Sequence, residues 1–137
     1  MRKRTHGREC ALKILYQHEV NPEQPGDELF EAFWAQTGGC EDDVRSFAED
    51  LVRGTLSHLD KINLVINKYA ENWDLNRMAI IDRSILRFAT YELLFCADIP
   101  PKVTINEAVN LAKKFSQEDS GKFVNGVLDK INHSEKP

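Results

Sequence analysis

Apolar residues recur along most of the chain at the three- and four-residue intervals of an amphipathic helix, and no segment alternates as a strand would. From about Arg8 to Val20, Ala11, Leu12, Leu15 and Tyr16 share a face, and Asn21-Pro22 stops the run. Pro25-Gly26-Asp27 opens a second helix that groups Leu29, Phe30, Phe33 and Trp34, and Gly38-Gly39 ends it. Glu41, Asp42 and Asp43 then supply carboxylates suited to a helix N-terminus. Behind them a stripe through Val44, Phe47, Ala48, Leu51, Val52, Thr55, Leu56, Leu59, Ile62, Ile66 and Tyr69 predicts one helix of about seven turns.

Asp74 can cap a short turn carrying Arg77 and Met78. From Ile80 to Ala97 the apolar residues cover nearly every side, so this helix is expected at the centre, enclosed by others. Pro100-Pro101 imposes a break. Thr104-Ile105-Asn106-Glu107 then reads as a capping box, with Val103 and Ala108 placed as a hydrophobic staple. That helix should end near Gln117, and Asp119 or Ser120 should cap a last one that turns Val124, Val127, Leu128 and Ile131 inward. The expectation is an all-α fold, a compact bundle of about seven helices in a single domain spanning residues 1–137.

At 137 residues, 42% hydrophobic and 29% charged, the chain has the size and composition of one folded domain rather than of a disordered one. It has no apolar run of membrane-spanning length and no signal-peptide core, so a soluble cytoplasmic protein is expected. Three dispersed cysteines, Cys10, Cys40 and Cys96, make no disulfide framework, and the four histidines form no metal-ligand spacing; neither metal nor cofactor is expected.

The net charge of −4 is unevenly spread. Arg2, Lys3, Arg4, Arg8 and Lys13 against Glu9 alone give residues 1–13 a charge of +4, which leaves −8 on the rest. A basic arm on an acidic body suits a polyanion meeting one place, and a solubilising, frayed terminus accounts for the same charges equally well.

Enzyme signatures are missing. No phosphate loop, nucleophile elbow or dinucleotide fingerprint is present, and the neighbouring carboxylates sit at helix starts, where capping explains them. Asp82 and Glu92, on the otherwise apolar helix, read first as internal ion-pair partners of Arg83, Arg87 or another helix. A nucleic-acid constellation is more productive. Lys113, Lys114 and Lys122 cluster around the junction Ser116–Ser120, with Phe123 and Asn125 close by. Flexible cations serve phosphates, and an aromatic or amide platform serves exposed bases. Spacing alone assigns Phe123 to the core.

These residues carry a resemblance. Arg8-Glu9-Cys10-Ala11-Leu12 leading to Leu15-Tyr16, Asp82–Arg87 with Tyr91-Glu92-Leu93, Pro101–Val109 with Leu111-Ala112-Lys113, and Lys122–Asp129 resemble, over essentially the whole length, the NusB family of transcription antitermination factors. The resemblance implies an all-helical, non-enzymatic RNA-binding protein that pairs with NusE, a small-subunit ribosomal protein. The pair would bind single-stranded boxA-type RNA, support ribosomal RNA transcription, and act on RNA polymerase through the antitermination complex. RNA contacts then map onto Arg2, Lys3, Arg4 and Arg8, and onto Asp119, Ser120, Lys122 and Phe123, with Lys113 and Lys114 beside them. Partner contacts map onto Tyr16 and Asp82.

The chain departs from the family in one place. Thr5-His6-Gly7 interrupts an arginine run, which implies a weaker phosphate term and greater dependence on NusE, with His6 restoring charge only at mildly acidic pH. Two other readings remain at this point: the NusB-like domain of an RNA cytosine methyltransferase, whose catalytic half would have to follow the last helix, and a scaffold that binds protein alone. A surface meant for NusE is also expected to pair with a second copy when NusE is missing.

Overall fold

The computed structural model describes residues 3–23, 26–70 and 74–135. Its regular structure there is helical: α1 (Lys3–Val20), α2 (Gly26–Thr37), α3 (Asp42–Ser57), α4 (Leu59–Tyr69), a 3-10 turn (Leu75–Arg77), α5 (Ile80–Phe95), α6 (Pro101–Phe115) and α7 (Ser120–Glu135). The all-α expectation, with seven helices among the described residues, holds. The chain divides into two units, Met1–Arg53 and Gly54–Pro137, and the division falls within α3.

In the first unit, Ala11, Leu12, Ile14 and Leu15 of α1 are buried, as are Leu29, Phe30, Phe33 and Trp34 of α2 and Val44, Ala48, Leu51 and Val52 of α3. Gly38 and Gly39, at φ of 82° and 83°, end α2 in the left-handed region that favours glycine. Glu49 gathers three donors: Trp34 Nε1 at 2.7 Å, Arg45 Nε at 3.0 Å and Arg53 Nη1 at 3.3 Å. Helix α1 begins earlier than the apolar pattern implies. Lys3 to Gly7 are helical, so the described part of the basic segment is the first turns of α1 and not a frayed arm.

The second unit is built around α5, which packs against α4, α6 and α7. Ile85, Leu86, Phe88 and Ala89 are fully buried, as expected of a helix apolar on most sides. Two expectations need correction. The long helix is two helices, because His58 leaves the helical region (φ −116°, ψ 23°) between α3 and α4. Its Nδ1 takes the Gly54 carbonyl at 2.9 Å, and its ring lies 4.1 Å from that of Phe95. The stripe continues across the break, with Thr55, Ile62 and Ile66 all buried, so periodicity gives no sign of it.

The capping box does not form either. Helix α6 starts at Pro101, where a proline costs nothing because the first amides of a helix lack intrahelical partners in any case. Thr104 is therefore inside the helix, 1% exposed, and its hydroxyl donates at 2.8 Å to Oε1 of the fully buried Glu92. Val103, assigned to a staple, is 43% exposed. At the far end of α7, Glu135 accepts from Tyr69 Oη and from Lys68 Nζ and ties that end to α4.

Candidate nucleic-acid interface

The two groups of candidate residues fall in different units. In the first unit, Lys3 Nζ sits between Asp43 Oδ2 at 2.9 Å and Glu41 Oε2 at 3.0 Å, all well exposed. The hydrogen bond that Lys3 donates to Asp43, then that to Glu41, raises the Lys3 pKa, while Lys3 holds the Asp43 carboxyl below its ordinary value. Arg4 lies over the Phe47 ring at 5.0 Å. Both basic residues border a hollow of about 480 Å³ whose wall also holds Asp43, Ser46, Phe47 and Asp50. His6 is exposed. Arg2 lies outside the described residues.

Arg8 is a correction. It is 1% exposed, with its guanidinium 5.3 Å from the Phe47 ring, and a buried cation has no surface to offer a phosphate. The interruption at Gly7 also gains a reason. A Cβ there would come within 2.7 Å of Phe47 Cδ2, so the glycine makes room for α3 where another arginine would collide with it. Tyr16, assigned to the partner, is 42% exposed on α1.

In the second unit, the end of α6, the start of α7, the start of α5 and the 3-10 turn surround a cavity of about 310 Å³. The RNA candidates Phe123, Asp119 and Ser120 line it, and so does the partner candidate Asp82. A hydrogen-bond chain joins the three helices: Ser116 Oγ lies 3.0 Å from Ser120 Oγ, which donates to Asp82 Oδ2 at 3.1 Å. Asp82 thus fixes where α7 begins. Its other oxygen, Oδ1, is buried with no hydrogen-bond partner among the described residues. Glu92, by contrast, serves the interior through Thr104.

Phe123 is half-buried and Asp119 exposed. Lys113, Lys114 and Lys122 are exposed; the Lys113 stem passes 3.1 Å from where a Gly121 Cβ would stand, so the two helices meet closely there. Arg77, Met78, Ala79 and Gln117 complete the wall. Sequence reading gave Arg77 no role, because some forty positions separate it from the junction and only the 3-10 turn, capped by Asp74 Oδ1 on the Asn76 amide at 3.0 Å, brings it round.

Among the described residues no group of three or more His, Cys, Asp or Glu side chains is arranged to hold a metal ion, and no helix is long and apolar enough to cross a membrane. The cavity wall offers a ring face, one side-chain amide, a hydroxyl, a guanidinium and two carboxylates, with the lysines of α6 and α7 nearby.

Comparison with known proteins agrees with this reading. The family model described as "NusB family" matches residues 5–133. The transcription antitermination protein NusB of Thermodesulfovibrio yellowstonii is 44% identical over 137 aligned residues, covering 94% of this chain and 91% of its own. The structure of T. maritima NusB superposes with a TM-score of 0.88 at 40% identity, over 98% of this chain and 93% of that one. A crystal structure of the antitermination factors NusB and NusE in complex with double-stranded RNA contains a chain of TM-score 0.88 and 32% identity, covering 98% of each.

Proposed function

The chain belongs to the NusB family, and from that premise we propose that it is a cytoplasmic, non-enzymatic transcription antitermination factor that binds boxA-type RNA together with NusE and supports ribosomal RNA transcription. The observation that carries the reading on this chain's own residues is the Phe123-lined cavity at the α6–α7 junction, with exposed Lys122 beside it. Bases stack on Phe123, and Lys113, Lys114 and Lys122 neutralise the phosphates around them.

In the first unit Arg4, Lys3 and His6 add backbone contacts. Lys3 must exchange Asp43 and Glu41 for phosphate, an exchange of ion pairs with little net gain, and Arg8 contributes through packing. The intrinsic phosphate term is therefore small, and two proteins on one RNA raise the affinity through effective concentration. Tyr16 and Asp82 are proposed to face NusE, Asp82 from the edge of the RNA cavity. With NusE missing, the exposed partner face pairs with a second copy.

The test is a gel shift of a short boxA-type RNA across a salt series, with and without NusE. The expected result is weak binding alone, tight binding with NusE, and affinity that falls as salt rises. Binding that is independent of both salt and NusE would overturn the proposal.

A further inference from the structure

Arg77 is the one arginine of the described segments whose guanidinium has no partner among the described residues. Arg45 and Arg53 hold Glu49, Arg83 donates to the Met78 carbonyl at 3.1 Å, Arg87 donates to Asn63 Oδ1 at 3.0 Å, Arg4 covers Phe47, and Arg8 is buried. Arg77 is exposed, yet it is not scattered at random over the surface. It closes the wall of the cavity that Phe123, Gln117 and Ser120 also line.

The backbone there is fixed. Asp74 caps the turn through the Asn76 amide, the Arg77 amide donates to the Asp74 carbonyl at 2.9 Å, and Met78, next in the chain, is buried. The tethered turn places Arg77 in the cavity wall, and its planar guanidinium loses less freedom per hydrogen bond formed than a lysine ammonium does. Beside it stand one half-buried ring and one amide side chain. Asp82 is in the wall too, and its Oδ1, a buried acceptor with no donor among the described residues, suits an occupant with a hydrogen to donate rather than a purely apolar one.

We propose that Arg77 and Phe123 together hold a single nucleotide unit of the RNA, its base against the Phe123 ring and its phosphate paired bidentately by the Arg77 guanidinium. The inference rests on the RNA-binding reading above and deepens it by adding a phosphate clamp outside the basic N-terminal segment. A guanidinium presents a planar fork that matches a phosphate edge, and a ring face accepts any base, so this subsite holds the chain's register without choosing its sequence. It also supplies a fixed cation in a chain whose Lys3 is ion-paired and whose Arg8 is buried.

The test uses the full chain with NusE and a boxA-type RNA in which each phosphate in turn is replaced by an uncharged methylphosphonate. Wild type is expected to lose about ten-fold in affinity at one particular phosphate, and Arg77→Ala to lose about the same with unmodified RNA. That phosphate should then be silent in Arg77→Ala, and the salt slope should be shallower by about 0.7. Arg77→Lys should keep the slope and lose part of the affinity. Melting temperature and NusE binding should not move. If wild type with NusE binds RNA and Arg77→Ala binds it equally well at every salt, the clamp is wrong and the RNA reading stands. An Arg77→Ala defect confined to NusE binding would likewise overturn it in favour of a protein contact. Failure of wild type to bind would remove both.

Discussion

Cys10 and Phe123 show how far a single side chain's setting decides its chemistry. Burial pushes the Cys10 thiol up to about 11, so little thiolate exists near neutrality and the group is inert. Alkylation at pH 8 followed by peptide mass spectrometry should leave Cys10 unmodified in the folded protein and modify it after denaturation; ready labelling of native Cys10 would show that the site opens. For Phe123, half-buried at the cavity wall, Phe123→Ala should weaken RNA binding by about 1–3 kcal/mol while the melting temperature stays near wild type. A large loss of melting temperature would return the ring to the core. Asp43 gives a pH prediction. Lys3 holds its carboxyl below the ordinary value, so the pair is intact at neutral pH and dissolves as pH falls through that lowered value. An NMR titration should show the depressed midpoint in wild type and its return in Lys3→Ala; an unchanged midpoint would mean that the pair does not persist in solution.

At the scale of elements, glycines and buried hydroxyls set how closely the helices approach. A Cβ on Gly54 would overlap the ring of Tyr91, which stacks on Phe95 at 5.5 Å. Gly54→Ala should therefore destabilise by about 1–2 kcal/mol despite alanine's better helix propensity. In a Tyr91→Ala background the same change should become stabilising, and melting curves of the four proteins would decide; an unchanged sign would place the cost elsewhere. Thr104→Val removes a donor from the fully buried Glu92 carboxylate and should cost about 1.5–3 kcal/mol by denaturant titration.

The same elements show what could be read beforehand. Apolar spacing gave α2 and α5 nearly in full, since each buries a face that recurs at the helical interval. It missed the break at His58 because the stripe keeps its phase across one non-helical residue. It put the start of α6 too late because a threonine three residues before a glutamate matches a capping box whether or not the chain is already helical. Charge patterning places Arg8 among the surface cations because it records only which residues are basic, whereas the packing around Phe47 shows that Arg8 does not reach the surface and why a glycine precedes it. The α6–α7 junction was recognisable from its local run of residues. Arg77 was not, because a contact across some forty positions leaves no local mark.

For the molecule as a whole, the proposal is that an acidic chain binds a polyanion by keeping cations at a few places and letting a second protein supply the rest. The central claim is that RNA meets the α6–α7 junction when NusE is present. Photocrosslinking of a thiouridine-substituted boxA-type RNA to the complex with NusE, read by peptide mass spectrometry, tests it directly. The predicted result is an adduct within residues 113–123, lost when unlabelled RNA competes. Adducts confined to other segments, in a complex that retains the RNA, would contradict it.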